Sequence, residues 1–173
     1  MDTLLQIIII IVPAGAVFVT AYFLIKTFLN NENRRREMEI RKASLSIVAP
    51  IRLQAYERVI IFLERLHPNN LVIRTNKVGM TSHQLHAELL KTVKTEYEHN
   101  ISQQIYMSHG AWELVKTAKE ETLKLINIST TKVPDNAKSQ DLAVVILQIA
   151  SSVDKMPSQV ALEFMKKEIA QYY

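Results

Sequence analysis

Five histidines, His67, His83, His86, His99 and His109, are the side chains best suited to proton transfer or metal binding near neutral pH. His83 and His86 stand three residues apart, which puts them on one face of a helix. With Glu88 or His99 near in space they would offer three ligands to a metal ion. The same spacing is ordinary on an exposed helix, so no metal site is assigned. A second group is Glu57-Arg58 and Glu64-Arg65, a charged pair repeated after seven residues, with Arg74 just beyond. These charges read in two ways. They form a groove that holds a partner, or they pair with charges on neighbouring helices around a largely enclosed helix. The third group is the stretch from Glu96 to Tyr106 (EYEHNISQQIY), rich in amide and aromatic side chains. His99, Asn100, Gln103, Gln104 and Tyr106 would present hydrogen-bonding groups to a protein or ligand, or form a polar network that caps a helix break near Asn100.

Several chemistries lack their residues. The three glycines, Gly15, Gly79 and Gly110, are too scattered for a phosphate-cradling loop. No serine sits in a GxSxG elbow, and no HExxH occurs. Cysteine is absent, which removes disulfides, thiolate zinc sites and thiol nucleophiles. The expectation is a chain with no catalytic residues and no cofactor.

The elements that position these groups read as helices. Scarce glycine and five prolines leave little punctuation for short strands. Asn30 to Ser46 is charged and glycine-free and continues a helix, which Pro50 interrupts or restarts. Ile51 to Leu66 is apolar on most sides, as suits the centre of a bundle. His67-Pro68-Asn69-Asn70 ends it, Leu71 to Lys77 is short enough to be extended, and Gly79 turns the chain. Thr81 with Gln84 makes a capping box for a helix through Leu85, Leu89, Val93 and Tyr97. Ser108 caps another, with Trp112, Val115, Ala118, Thr122 and Ile126 as its core stripe. Residues 128–136 read as a loop, followed by helices over 137–153 and 158–172 with Pro157 at the start of the last.

Ahead of all this lies Leu4 to Ile25, 22 residues without a charge. As a helix they reach about 33 Å, enough for the hydrocarbon core of a bilayer. Lipid offers the backbone no hydrogen-bond partners, so helix is favoured even through Ile7 to Ile11 and Pro13. A cleaved signal peptide needs a basic leader and a shorter apolar run, whereas Met1-Asp2-Thr3 carries no positive charge. The basic residues follow the span: Lys26, Arg34, Arg35, Arg36, Arg41 and Lys42. They predict an N-terminus outside, the bulk of the chain in the cytoplasm, and contact with anionic headgroups of the lipid bilayer. Most of the net charge of +4 sits in that cluster, and no basic face with interleaved aromatics follows, so nucleic acid is not expected. Ala16-x-x-x-Thr20 is a small-residue spacing that lets spans pack together.

The fold class is therefore all-α, a transmembrane helix followed by a cytoplasmic bundle of about five helices. It divides into a tail (1–3), a span (4–25), a basic juxtamembrane stalk (26–49) and a helical domain (50–173).

Two stretches carry a resemblance. Leu53-Gln54-Ala55-Tyr56-Glu57-Arg58 through Phe62-Leu63-Glu64-Arg65 leads into Pro68-x-Asn70-Leu71-x-x-Arg74, and Glu96-Tyr97-Glu98-His99-Asn100-x-Ser102-Gln103-Gln104-Ile105-Tyr106 leads to Trp112. They resemble a family of uncharacterised, membrane-anchored bacterial proteins of about this length. That resemblance implies a bacterial inner-membrane setting and no particular activity. The b subunit of the ATP synthase stalk is similar only in its span and charged helix, because Pro50, Pro68, Pro134 and Pro157 divide this chain into shorter pieces. The expected function is a non-enzymatic adaptor that binds a protein partner or self-associates at the membrane. The alternatives are a ligand-binding module or enzyme using residues 96–106 with Glu57, Arg58 and Arg74, or an accessory subunit of a larger membrane complex.

Overall fold

The structure is a computed structural model that describes residues 2–171, with the backbone alone at residues 2–8, 10 and 12. It is all-α. Six α-helices and one 3₁₀ helix occur among the described residues, with no strand and a single isolated bridge between Thr81 and Lys138. The chain forms two units, residues 1–49 and 50–173.

The first helix, α1 (Asp2–Leu66), is the longest element. Among the described residues it is the one helix long and apolar enough to cross a membrane. Within the first unit, Arg35 pairs with Glu39 at 3.0 Å and Arg36 with Glu32 at 3.2 Å, each four residues apart along the helix. The expected interruption at Pro50 does not occur, since helix continues on both sides of it. Proline removes one backbone hydrogen bond, but no glycine lies between Gly15 and Gly79 to make a break favourable. Pro50 therefore does not divide the chain, and α1 runs as one long helix of 65 residues. Pro68 and Pro157 open helices, as their fixed φ allows, and Pro134 lies in a loop.

In the second unit, the end of α1 buries Ala55, Tyr56, Val59, Phe62, Leu63 and Leu66, an i, i+3/i+4 stripe. The segment expected to be extended is instead helix α2 (Pro68–Thr75). Pro68, Leu71, Val72 and Thr75 repeat at helical spacing, and all four are buried, so packing selects helix over strand. Gly79 then takes φ +85°, the left-handed turn a side chain would resist. Helix α3 (Ser82–Asn100) opens with the expected capping box: Thr81 Oγ1 accepts from Gln84 N at 3.2 Å, and Gln84 Oε1 accepts from Thr81 N at 3.0 Å.

The break near Asn100 is present. Asn100 Nδ2 donates to the Glu96 carbonyl at 2.8 Å, and the chain passes into the 3₁₀ helix Ile101–Tyr106. Ser108 caps α4 (His109–Thr130), its Oγ accepting from Ala111 N at 3.1 Å. This helix runs three residues into the expected loop because Ser129 is fully buried and its hydroxyl donates to the Leu125 carbonyl at 2.8 Å. The last helices are α5 (Ser139–Ser151) and α6 (Pro157–Ala170), each slightly shorter than expected, with Tyr172 outside the described residues. Ser82 N donates to Ala137 O at 3.0 Å and Ser139 N to Met80 O at 3.1 Å, which ties the start of α3 to the start of α5. The core joins Phe62, Leu63, Leu85, Leu89, Val115, Ile126, Leu142, Ile146 and Met165 from five of the helices.

Candidate functional site

The charges at the end of α1 are positioned by its buried stripe. With Phe62, Leu63 and Leu66 inside, Arg65 falls at the edge of the packed face. Helix α2 carries Arg74 to the same edge, and α3 supplies Glu96. Arg74 Nη1 lies 3.1 Å from Glu96 Oε1, and Arg65 Nη1 lies 3.4 Å from both carboxylate oxygens. One carboxylate thus bridges two guanidinium groups and three helices. Beneath it, Phe62, Leu66, Leu71 and Val93 leave no room for a ligand. Beside it, Ile60, Ile61, Glu64, Arg65, Asn70 and Arg74 line an open depression of about 230 Å³. Asn70 Nδ2 donates to the Glu64 carbonyl at 2.8 Å and so links α2 back to α1.

The other sequence candidates do not join this group. Glu57, Arg58 and Glu64 point to solvent and make no ion pair among the described residues. His99 and Gln104 are also exposed. Asn100 is buried and spent on its own helix, and Gln103 Nε2 donates to the neighbouring Ser102 Oγ at 3.3 Å. Tyr106 is half-buried, and its carbonyl accepts from Arg52 Nε at 3.2 Å. Within the stretch 96–106, Asn100 ends α3 and the 3₁₀ helix follows.

Tyr97 belongs to the core side of that stretch. Its ring stacks on Trp112 at 5.7 Å and meets Phe62 at 6.2 Å, while Lys119 Nζ sits 4.5 Å above it. Trp112, 6% exposed, is a core residue and not a platform.

No three histidine or acidic side chains among the described residues come together as metal ligands. His83 is exposed, and His86 Nε2 lies 2.9 Å from Asn127 Oδ1. His109 approaches Glu113 at 3.7 Å, but Lys116 Nζ is nearer at 2.5 Å, and that hydrogen bond holds the Glu113 carboxyl below its usual range. Lys155 does the same for Glu163.

On α1 of the first unit, Lys26, Arg34, Arg35, Arg36, Arg41 and Lys42 are all exposed. Arg35 and Arg36 turn to their own helix, and Lys26 Nζ lies 5.8 Å from the Tyr22 ring. Arg34, Arg41 and Lys42 have no partner among the described residues.

Residues 2–172 match the model of a family of unknown function, DUF7935. The chain belongs to this family. No curated protein and no solved structure matches it.

One cluster in this family member escaped the sequence reading. Tyr56, 2% exposed, buries its hydroxyl beside Glu168, Arg52 and the Ser108 backbone, none of which meets it with good hydrogen-bond geometry. Glu168 of α6 has one carboxylate oxygen buried in the same condition. Burial, reinforced by the negative charge of Glu168, pushes the Tyr56 phenol above its ordinary value. The signal available in sequence was spacing alone: Ala161, Met165 and Glu168 fall at i, i+4 and i+7, the buried stripe of α6. The run Lys166-Lys167-Glu168 disguises it as a solvated face.

Proposed function

We propose that this chain is a membrane-anchored helical adaptor: α1 spans a bacterial inner membrane near its N-terminus, and residues 50–173 form a cytoplasmic interaction domain. The observation that carries this reading is the 22-residue uncharged stretch within a helix long enough to cross a bilayer, followed by a purely basic cluster at residues 34–36. Those exposed cations suit anionic headgroups on the cytoplasmic leaflet. The candidate chemical groups support the same conclusion by how they are used. Arg65 and Arg74 share the Glu96 carboxylate across three helices, and the polar stretch 96–106 ends a helix, so the arrangement favours a scaffold over a catalyst.

Exposed aliphatic side chains on the domain give a partner something to cover. Ile73 is 77% and Ile105 is 73% exposed. The accessory-subunit reading rests on the same residues.

Alkaline carbonate extraction of membranes, with protease digestion of right-side-out and inverted vesicles, tests the anchor and its orientation. The expected result is a chain that stays in the pellet and loses residues 50–173 only in inverted vesicles. Release into the supernatant refutes the anchor, and digestion from the outer face refutes the orientation.

A further inference from the structure

The first unit exposes apolar side chains well beyond the stretch that spans a bilayer. Residues 43–49 (ASLSIVA) carry no charge. Ile40, Ala43, Ser44 and Ile47 fall at i, i+3, i+4 and i+7, one continuous face of α1. Ile40 is 67% and Ile47 is 66% exposed. Isolated helices are marginal in water, and their stability comes from covering such a face.

We infer that this face pairs with the same face of a second copy of the chain, as a short parallel two-helix contact. The inference rests on the anchored reading above, for three reasons. First, copies held by the same span stand parallel and at the same depth, so Ile47 meets Ile47 without any search for register, and confinement raises the local concentration. Second, self-pairing sets like against like, which requires a face without net charge. The Ile40–Ile47 face meets that condition, and Arg36 one turn earlier is drawn along its own helix to Glu32 at 3.2 Å. The opposite face, with Met38, Leu45 and Val48, has Arg41 at its centre and would set two arginines against each other. Third, the isoleucines are seven residues apart, the period at which a seam drifts by only about 20° and can follow a neighbouring helix. Ala43 and Ser44 between them are small enough for close approach.

The chain has no native cysteine, so single substitutions are clean probes. Ile47→Cys, Leu45→Cys and Ala49→Cys are each made in the full chain, in native membranes, and oxidised with copper phenanthroline. The inference expects a disulfide-linked dimer from Ile47→Cys and loss of that band at Leu45 and Ala49, which face away. Equal crosslinking at all three positions indicates random collision and overturns it, as does crosslinking at Leu45 alone. In a second arm, Ile40→Glu with Ile47→Glu converts the dimer to a monomer in mild detergent, read by mass photometry, with Trp112 fluorescence unchanged. Persistence of the dimer in that variant overturns the assigned face. A chain found in the membrane pellet but monomeric refutes this inference alone, whereas a chain in the soluble fraction refutes the anchor as well.

Discussion

Tyr56→Phe removes a single oxygen from a side chain that is 2% exposed, and that oxygen lies beside Glu168, Arg52 and the Ser108 backbone without a well-formed hydrogen bond to any of them. A buried hydroxyl left unpaired costs about 1–3 kcal/mol relative to water. Removing it leaves a void smaller than a methyl group, which costs at most about 0.5 kcal/mol at ~24 cal/mol per Å³. The balance is a gain of about 1 kcal/mol, or a rise of about 3–5 °C in Tm for a domain of this size. Trp112 is the single tryptophan, buried and stacked on Tyr97, so urea and thermal melts of the full chain in detergent can be followed by its fluorescence. The pH dependence supplies an independent check. Burial raises the Tyr56 phenol in the folded state, so its contribution to stability is fully present below the unfolded value of about 10 and is lost as pH rises through the folded value. Wild-type stability therefore carries a downward component above about pH 10 that the Phe variant lacks. A loss of about 1 kcal/mol or more in Tyr56→Phe would show that the hydroxyl is hydrogen-bonded in solution, and identical alkaline profiles would show that folding does not raise its titration; either refutes the reasoning.

Glu96→Gln should cost about 1 kcal/mol, since its ion pairs with Arg65 and Arg74 are partly exposed, and the difference should shrink in high salt. A double-mutant cycle in urea should give a larger coupling of Glu96 to Arg74 than to Arg65, because the former contact is shorter and drier, with Arg74 at 38% exposure against 53% for Arg65. Thr81→Ala should lower stability by about 1 kcal/mol through loss of the cap on α3, while Thr81→Ser should retain most of it in the same melts.

Local signals were sufficient where one stretch of chain decides its own conformation. The Thr81 and Ser108 caps, the helix end at Asn100 and the prolines at 68 and 157 each act within one turn, so residue type and spacing were enough. The helical class followed for the same reason. Packing decided the rest. Leu71 to Thr75 is helical because Leu71, Val72 and Thr75 share a core with Pro68, which the composition of LVIRTNK does not disclose. Pro50 stays inside α1 because the residues around it keep helix despite one lost hydrogen bond. The polar groups show the divide most clearly. Arg58, Arg65 and Arg74 carry the same formal charge in sequence, yet of the three only Arg65 and Arg74 meet a carboxylate among the described residues, because α3 brings Glu96 to them from more than twenty residues away. Tyr56 and Glu168 lie more than a hundred residues apart, and their burial exists only once α6 closes on the bundle. Hydrophobic pattern and capping are properties of a segment. The pairing and desolvation of charges belong to surfaces that only the folded chain creates.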